Sequence, residues 1–299
     1  MVDSENFQRF KLNQRARPIL KWAGGKSQLL PQLIPHFPKK FARYVEPFLG
    51  AGAVFFSLAP DCPAVINDAN PELYELYVVL RDKPEELIKK LGIYSKQYSE
   101  EFYYELRASR PRSSVGRAAR CIFLNKTGFN GLYRVNSKGD FNVPFGKRDR
   151  CPPLYDLENV LEVSKRLKNC KITNLDFSKV LRSAKKGDFI YCDPPYAPLS
   201  ITASFNSYTP MGFSQAEQVR LKIDCDAAIK KGAIVAISNS ASPTILDLYQ
   251  NWNIQLIKAR RSINSKSHLR GPIHELLIGG RRSQSSLRPL LKKENAPQY

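Results

Sequence analysis

The fold is decided by the stretch Arg43-Tyr44-Val45-Glu46-Pro47-Phe48-Leu49-Gly50-Ala51-Gly52-Ala53-Val54-Phe55-Phe56. Its first four residues predict a short strand, its glycines predict a tight turn, and its apolar end predicts a helix. The stretch from Ala64 to Asp68 predicts the next strand. Strand, turn, helix and strand in this order form the first βαβ unit of a parallel sheet, so we expect an α/β fold.

The same kind of pattern returns after a long interruption, which indicates an insertion. The further predicted strands are 171–173, 188–192, 233–238 and 275–278. The predicted helical stretches are 29–34, 71–117 and 214–231, and residues 127–150 predict a loop or hairpin. The aromatic residues expected in the core of the second stretch are Tyr74, Tyr77, Tyr94, Tyr98, Phe102, Tyr103 and Tyr104. We expect a catalytic domain of residues 13–70 and 160–282, an inserted domain of residues 71–159, and basic flexible tails at 1–12 and 283–299.

The chain of 299 residues carries a formal net charge of +20. A field of this size attracts polyanions and is otherwise costly, because like charges repel each other. The excess is concentrated, since the segment from Arg107 to Arg150 has eleven Lys and Arg residues against only Asp140 and Asp149. We therefore expect nucleic acid as the partner.

Several other classes of protein are disfavoured by the sequence. No apolar run approaches the roughly 18 residues that a membrane span needs, and the first residues lack the apolar stretch of a signal peptide. The six cysteines are scattered, and only three histidines are present. We therefore expect a cytoplasmic protein with no membrane partner, no disulfide and no metal site.

Two glycine motifs indicate a nucleotide-like ligand. Gly50-Ala51-Gly52 lets the backbone approach a ligand, and Asp68, about twenty residues later, can accept a ribose hydroxyl. The motif Trp22-Ala23-Gly24-Gly25-Lys26-Ser27 is not a phosphate-binding P-loop, because Leu20 stands where that loop needs a glycine. Its aromatic ring and its cation suit a carboxylate-bearing ligand such as S-adenosylmethionine.

The motif Asp193-Pro194-Pro195-Tyr196 follows the predicted strand 188–192 and carries the chemistry. An adenine amine is a poor nucleophile, because its lone pair is delocalised into the ring. The Asp193 carboxylate and the Pro194 carbonyl can accept both amine hydrogens and so direct the lone pair at an incoming methyl group. The paired prolines stiffen that carbonyl. Tyr196 offers a stacking face to a base turned out of the duplex.

Together these motifs resemble the DNA adenine methylase family of the Dam type, the GATC-specific D12 class. The resemblance is carried by Lys21-Trp22-Ala23-Gly24-Gly25-Lys26, by Glu46-Pro47-Phe48-Leu49-Gly50-Ala51-Gly52 and by Tyr191-Cys192-Asp193-Pro194-Pro195-Tyr196-Ala197-Pro198-Leu199-Ser200. It implies an open Rossmann-like sheet with an inserted, mainly helical target-recognition domain. The implied enzyme acts as a monomer or weak dimer and methylates N6 of a flipped adenine in double-stranded DNA, within GATC.

The resemblance also implies S-adenosylmethionine as the methyl donor, S-adenosylhomocysteine as the product, and no metal. The implied catalytic residues are Asp193, Pro194, Pro195 and Tyr196. The implied cofactor-binding residues are Trp22, Ala23, Gly24, Gly25, Lys26, Glu46, Pro47, Phe48, Gly50, Asp68, Asp176, Phe177 and Asp193.

Residues of the inserted domain match the part of the family pattern that reads DNA. By this similarity Arg134 reads one guanine, which suits a bidentate guanidinium, and Lys21 reads the other. Phe129 replaces a tyrosine thought to fill the gap left by the flipped base, so stacking survives but a hydroxyl contact does not. Arg148 replaces another aromatic residue. The implied DNA-binding residues are Lys21, Phe129, Asn130, Leu132, Arg134 and Pro144, with Leu132 and Pro144 on the thymine side.

Two alternatives stay open from the sequence. A DNA-binding module without catalysis would need neither Asp193 nor Tyr196. An RNA or protein N-methyltransferase could use a similar turn, although the large basic insertion favours duplex DNA. Replication or repair marking and restriction–modification are both compatible with the sequence.

Overall fold

Seven strands form one mixed sheet in the computed structural model, which describes residues 16–196, 213–259 and 273–281. The strands are β1 (Arg43–Glu46), β2 (Ala64–Asn67), β3 (Cys170–Thr173), β4 (Asp188–Cys192), β5 (Ile234–Ser240), β6 (Trp252–Ala259) and β7 (Ile273–Arg281). Their order across the sheet is β3-β2-β1-β4-β5-β7-β6. Strands β1 to β5 run parallel, whereas β7 runs antiparallel to β5 and β6. The predicted α/β fold is confirmed.

The strand order changes direction between β1 and β4. From β1 the chain moves outward through β2 to β3, and from β4 it moves the opposite way to β5. At such a point the connections leave on opposite faces of the sheet and open a crevice at the carboxyl ends of the strands, where open α/β sheets bind ligands. The residues that follow Glu46 and Cys192 therefore line the expected site.

Both faces of the sheet are covered, as β4 illustrates. Phe189 and Tyr191 pack into one hydrophobic cluster, and Ile190 and Cys192 pack into the other. Successive side chains of a strand point to opposite faces, so this alternation places apolar residues on both sides. Burial on both faces explains why β4 is apolar after its first residue, as is usual for parallel strands.

Helices cover both faces of the sheet. They are α1 (Leu30–Leu33), α2 (Ala53–Leu58), α3 (Pro71–Asp82), α4 (Pro84–Lys96), α5 (Glu100–Ala108), α6 (Ser114–Thr127), α7 (Leu157–Leu167), α8 (Phe177–Arg182), α9 (Gln215–Lys230) and α10 (Pro243–Leu248). Many begin at a capping side chain that accepts a hydrogen bond from a backbone amide two or three residues later. The caps of α3, α5, α6, α7 and α9 are Asn70, Ser99, Ser113, Asp156 and Ser214.

The segment between β2 and β3 contains α3 to α7 and the predicted loop. Antiparallel bridges join Gly128 to Phe145 and Val135 to Phe141, so the loop folds back on itself as a hairpin. The prediction of a core role for the helical aromatics holds for those that are buried, namely Tyr77, Tyr94 and Tyr103. It is wrong for Tyr104, which is 36% exposed and lies under the Arg107 guanidinium.

Among the described residues, β6, α7, α8 and α10 were not predicted, and only the first four residues of α6 fall within the helical stretch predicted for 71–117. Helices α8 and α10 have six residues each, too few to show a clear helical period. In β6, Leu256 and Ile257 are both apolar although only Ile257 is buried, so the sequence does not show the apolar–polar alternation that marks a half-buried strand. The predicted tails lie outside the described residues. Within the described part, no helix combines the length and the apolar character that crossing a membrane requires.

Asn67, at the end of β2, holds three loops together at the carboxyl edge of the sheet. Its amide group donates to the carbonyls of Pro47 (2.9 Å) and Leu175 (3.0 Å). Its oxygen accepts from the Leu175 amide (2.8 Å) and from the Thr173 hydroxyl (2.8 Å). Because Asn67 is buried, water cannot replace these partners.

We expect Asn67→Ala to lower the free energy of unfolding by several kcal/mol, because each buried polar group left without a partner costs about 1–3 kcal/mol. Urea denaturation measures the loss. The exposed Asn251, in the turn before β6, provides the matched control, and Asn251→Ala should change the stability by less than about 0.5 kcal/mol. Equal losses in the two variants would contradict the role given to Asn67.

Candidate active site

Carboxylates collect at the crevice between β1 and β4. Glu46 ends β1, Asp193 follows β4, and Asp68 follows β2. Burial raises the pKa of Glu46 well above its usual value, the hydrogen bond from Tyr44 (2.8 Å) opposes this rise, and the charges of Asp193 and Asp68 add to it. The crevice is therefore an acidic environment shielded from water.

Lys26 supplies the opposite charge. Its Nζ lies 2.8 Å from Oδ2 of Asp193, and its side chain is only 3% exposed. It also donates a hydrogen bond to the Gly24 carbonyl (2.7 Å). Burial raises the pKa of the Asp193 carboxyl to about 6, and the charge of Lys26 is the main influence that limits the rise. The pair thus helps keep Asp193 ionised near neutral pH.

The rest of the Asp193 motif is held from two sides. The Tyr196 hydroxyl donates to Oε2 of Glu275 (2.6 Å), and the Lys26 ammonium lies 4.8 Å from the centre of the tyrosine ring. The Pro195 carbonyl accepts a hydrogen bond from Nε2 of Gln218 in α9 (3.1 Å). The predicted catalytic residues that the structure brings to the crevice are Asp193, Pro194, Pro195 and Tyr196.

In the glycine loop, residues 46–52, the backbone lies in close contact with neighbouring side chains. Gly50 has φ 51°, a left-handed conformation that favours glycine, and a Cβ there would lie 3.2 Å from Cδ1 of Trp22. Asp68 accepts hydrogen bonds from the amides of Gly50 (2.8 Å) and Asn70 (2.9 Å), while Tyr77 donates to the Gly50 carbonyl (2.8 Å). Burial raises the pKa of Asp68 to about 6, and these two amides oppose the rise. The loop, Trp22 and Asp68 therefore form one unit.

The predicted residues Asp176 and Phe177 lie at the start of α8. The ring of Phe177 is 5.3 Å from that of Phe48 and 5.6 Å from that of Phe213, measured between centroids. Asp176 caps the helix and binds the guanidinium of Arg220 through both oxygens (3.0 and 2.8 Å). Burial is the largest single influence on the pKa of Asp176 and raises it, but the hydrogen bonds from Arg220 and Ser178 and the charge of Arg220 together lower that pKa below its usual value.

Three residues that hold the Asp193 motif or Lys21 in place were not predicted as part of the site. Glu275 contacts Tyr196 from β7, and Gln218 holds Pro195. Asn125 binds the backbone of Lys21 at both its amide (2.9 Å) and its carbonyl (2.8 Å). The carboxylate that opens the apolar run 275–278 was the one signal at Glu275, and it did not link Glu275 to the site. Neither of the two amides carried one.

The predicted DNA-binding residues gather around the hairpin. Phe129 is 50% exposed, and Asn130 has a positive φ of 54°. Arg134 is exposed, and its guanidinium donates to the side-chain oxygen of Asn142 (2.8 Å) and to its carbonyl (3.3 Å). Asn125 also donates to the Gly131 carbonyl (3.2 Å), so one buried amide joins Lys21 to the hairpin that carries Leu132 and Pro144.

Part of the basic excess in this segment is neutralised within the fold. Arg117 pairs with Glu75 and Arg120 with Glu72, both from α3, and Arg110 pairs with Asp140. The count along residues 107–150 omitted Glu72 and Glu75, because they are distant in sequence. The charge available to a polyanion is therefore smaller than the sequence count.

Within the described residues, no group of three or more His, Cys, Asp or Glu side chains could hold a metal ion. All six cysteines are free thiols. Cys192 precedes Asp193 on β4 and is fully buried on the face covered by α9. Burial raises the pKa of its thiol well above the usual value, so it stays protonated.

The family model for D12 class N6 adenine-specific DNA methyltransferases matches residues 22–263. The chain belongs to this family. The type II methyltransferase M1.LlaDCHI of Lactococcus lactis subsp. cremoris is 46% identical over 280 residues, which cover 91% of this chain and 97% of that protein. The DNA adenine methylase of Escherichia coli (strain K12) is 32% identical over 268 residues, which cover 88% of this chain and 95% of that protein.

As a D12 class member, the protein is an adenine-specific DNA methyltransferase acting at N6. This confirms the resemblance inferred from the motifs and removes the alternative of a binding module without catalysis. DNA is accordingly its substrate. Type II methyltransferases and DNA adenine methylases both occur among the relatives.

We expect Lys26→Met to raise the pKa of Asp193 above its value of about 6, because the ammonium lowers that pKa. The measurement is a pH titration of carboxyl ¹³C shifts, with Asp193→Asn used to assign the signal. Lys39→Met, which removes an exposed charge far from the crevice, is the control and should leave the titration in place. An unchanged Asp193 titration in Lys26→Met would show that the ion pair does not lower the pKa of Asp193.

Proposed function

We propose that the protein transfers the methyl group of S-adenosylmethionine to N6 of an adenine turned out of a DNA duplex, within the sequence GATC. The observation that carries the proposal is the group at the end of β4, where Asp193 is paired with the buried Lys26 and Tyr196 lies beside them. This arrangement offers a hydrogen-bond acceptor for the amine next to an aromatic face for the base.

The crevice fits S-adenosylmethionine by its chemistry. A sulfonium is a cation, and the carboxylates of Asp68 and Asp193, which have pKa values of about 6, outnumber the ammonium of Lys26. Gly50 has a positive φ and no Cβ, so the ring of Trp22 can pack directly against the backbone of the glycine loop at the crevice. When bound, the cofactor supplies the methyl group that is transferred.

The protein's own residues prepare the adenine amine. Asp193 and the Pro194 carbonyl accept the two N6 hydrogens, which directs the nitrogen lone pair at the methyl carbon. Lys26 helps keep Asp193 in its charged, accepting form, and Tyr196 stacks on the base. The motif is fixed before the base arrives, because Gln218 holds Pro195 and Glu275 holds Tyr196. With S-adenosylmethionine bound, N6 would take its methyl group, S-adenosylhomocysteine would leave, and N6 would lose one of its two protons to solvent.

We further propose that residues 71–159 form the target-recognition domain. The exposed Phe129 can fill the space that a flipped base leaves in the duplex. Arg134 presents a guanidinium already oriented by Asn142, which suits bidentate binding to guanine. Lys21 reads the second guanine, and Leu132 and Pro144 contact the thymine side.

The decisive experiment measures methyl transfer from labelled S-adenosylmethionine to duplexes that contain GATC, a one-base variant of it, or no adenine. We expect transfer to GATC alone and none by Asp193→Ala, which should still bind DNA. Equal transfer to all adenine-containing duplexes would refute GATC specificity, and normal turnover by Asp193→Ala would refute the mechanism. A single-stranded RNA of the same sequence should not be methylated.

We expect Arg134→Ala to weaken binding to GATC by about 1–3 kcal/mol and to relax the preference at one base pair. Competition binding with GATC and its one-base variants measures both effects. The exposed Arg112 lies in the same segment, so Arg112→Ala removes the same charge and should weaken binding to all duplexes alike. An unchanged target profile in Arg134→Ala would exclude Arg134 as the reader.

A further inference from the structure

Glu275 brings a second carboxylate to the reaction site from a distant part of the chain. It lies on β7, opposite Ser240 of β5 and Ile257 of β6 in the antiparallel ladders. Its side chain is 19% exposed and points at the Asp193 motif. A single oxygen, Oε2, lies 2.6 Å from the Tyr196 hydroxyl and 3.8 Å from Nζ of Lys26.

These contacts are not needed to hold the strand in the sheet. The pairing of β7 with β5 and β6 uses backbone groups, which every residue supplies. A partly buried carboxylate costs desolvation energy unless polar partners compensate it. Here both partners, Tyr196 and Lys26, belong to the reaction site, so the site accounts for the position of this charge.

A tyrosine that stacks on a base must keep its ring in one plane. Tyr196 is the last residue of the Asp193 motif, so the backbone of the motif fixes one end of its side chain. The hydrogen bond from its hydroxyl to Glu275 fixes the other end. The ammonium of Lys26 lies against the same ring and is shared between Asp193 and Glu275. Glu275 therefore touches both groups that surround Asp193.

We propose that Glu275 is a positioning residue for methyl transfer, which orients the Tyr196 ring through its hydroxyl and places the Lys26 ammonium between two carboxylates. The proposal rests on the proposed function and deepens it, since it adds a residue from outside the sequence motifs to the same site. Glu275 itself contacts neither the base nor the methyl group.

The proposal predicts a change in pH dependence as well as in rate. The groups that act on the Asp193 carboxyl are Lys26, Glu275, Tyr196, Glu46 and Tyr191. Burial raises its pKa most, Lys26 lowers it, and the charge of Glu275 raises it. Without that charge Asp193 stays ionised to lower pH, so the acidic limb of the kcat profile should move to lower pH.

The test compares Glu275→Gln, Tyr196→Phe and the double variant in the full chain, with labelled S-adenosylmethionine and a GATC duplex. We expect Glu275→Gln to lower kcat by about 10- to 100-fold, as when a positioned group drifts by about an ångström. The KM for DNA should change much less. The double variant should be no slower than the slower single variant, because both substitutions act on the same hydrogen bond: Tyr196→Phe removes its donor, and Glu275→Gln replaces the charged acceptor with a weaker, neutral amide oxygen.

Glu158→Gln is the control, since it makes the same chemical change at an exposed position of α7 and should leave kcat and the pH profile unchanged. Glu275→Asp keeps the charge but shortens the reach, so it should lose rate while keeping the acidic limb in place. If Glu275→Gln does not fold, Glu275→Asp and Tyr196→Phe still test the contact.

Wild-type kcat and an unmoved acidic limb in Glu275→Gln would overturn the proposal, and so would fully additive losses in the double variant. Both results leave methyl transfer by the wild-type protein intact. Failure of the proposed function looks different, because the wild-type protein itself would then transfer no methyl group to any DNA.

Discussion

The ion pair between Lys26 and Asp193 is the constraint on which the site depends. An ammonium that is 3% exposed has lost nearly all its water, and only a partner of opposite charge makes its burial tolerable. The partner comes from the end of β4, so the segment 22–26 must lie across the carboxyl edge of the sheet. Leaving either charge alone would destabilise the fold by several kcal/mol. The pair thus fixes where an N-terminal segment meets the central strand.

The same pair determines the electrostatics of the crevice. Burial alone would favour the neutral acid at Asp193, and its pKa of about 6 results from the balance between burial and Lys26. Asp68 reaches about 6 as well, although two amides stabilise its charge. At neutral pH Asp68 and Asp193 are therefore both largely ionised in a poorly solvated space, where the ammonium of Lys26 lies beside Asp193. Such a space favours a cation and a hydrogen-bond donor, and disfavours an anionic ligand.

The fold and the centre of the site could be predicted because their signals are local in sequence. Buried strands such as β4 appear as apolar runs, and the motif 193–196 follows its strand directly. Glu275 could not be assigned to the site, since it lies 79 residues from Tyr196 and reaches it through an antiparallel strand. Asn125 lies 104 residues from Lys21. The basic charge of residues 107–150 was overestimated for a related reason, because the acids that pair with Arg117 and Arg120 come from the earlier helix α3.

One short segment, Lys21 and Trp22, contacts both the hairpin and the crevice. It therefore connects the residues proposed to read DNA with the residues proposed to methylate it. Lys21 is held by Asn125, which also binds Gly131 of the hairpin. The next residue, Trp22, lies against Gly50 on one side, and its ring centroid is 4.6 Å from that of Tyr133. Tyr133 belongs to the hairpin, so the hairpin contacts Trp22 directly as well as through Lys21. A shift of the hairpin that moved Lys21 would therefore also disturb the packing of Trp22 on the glycine loop.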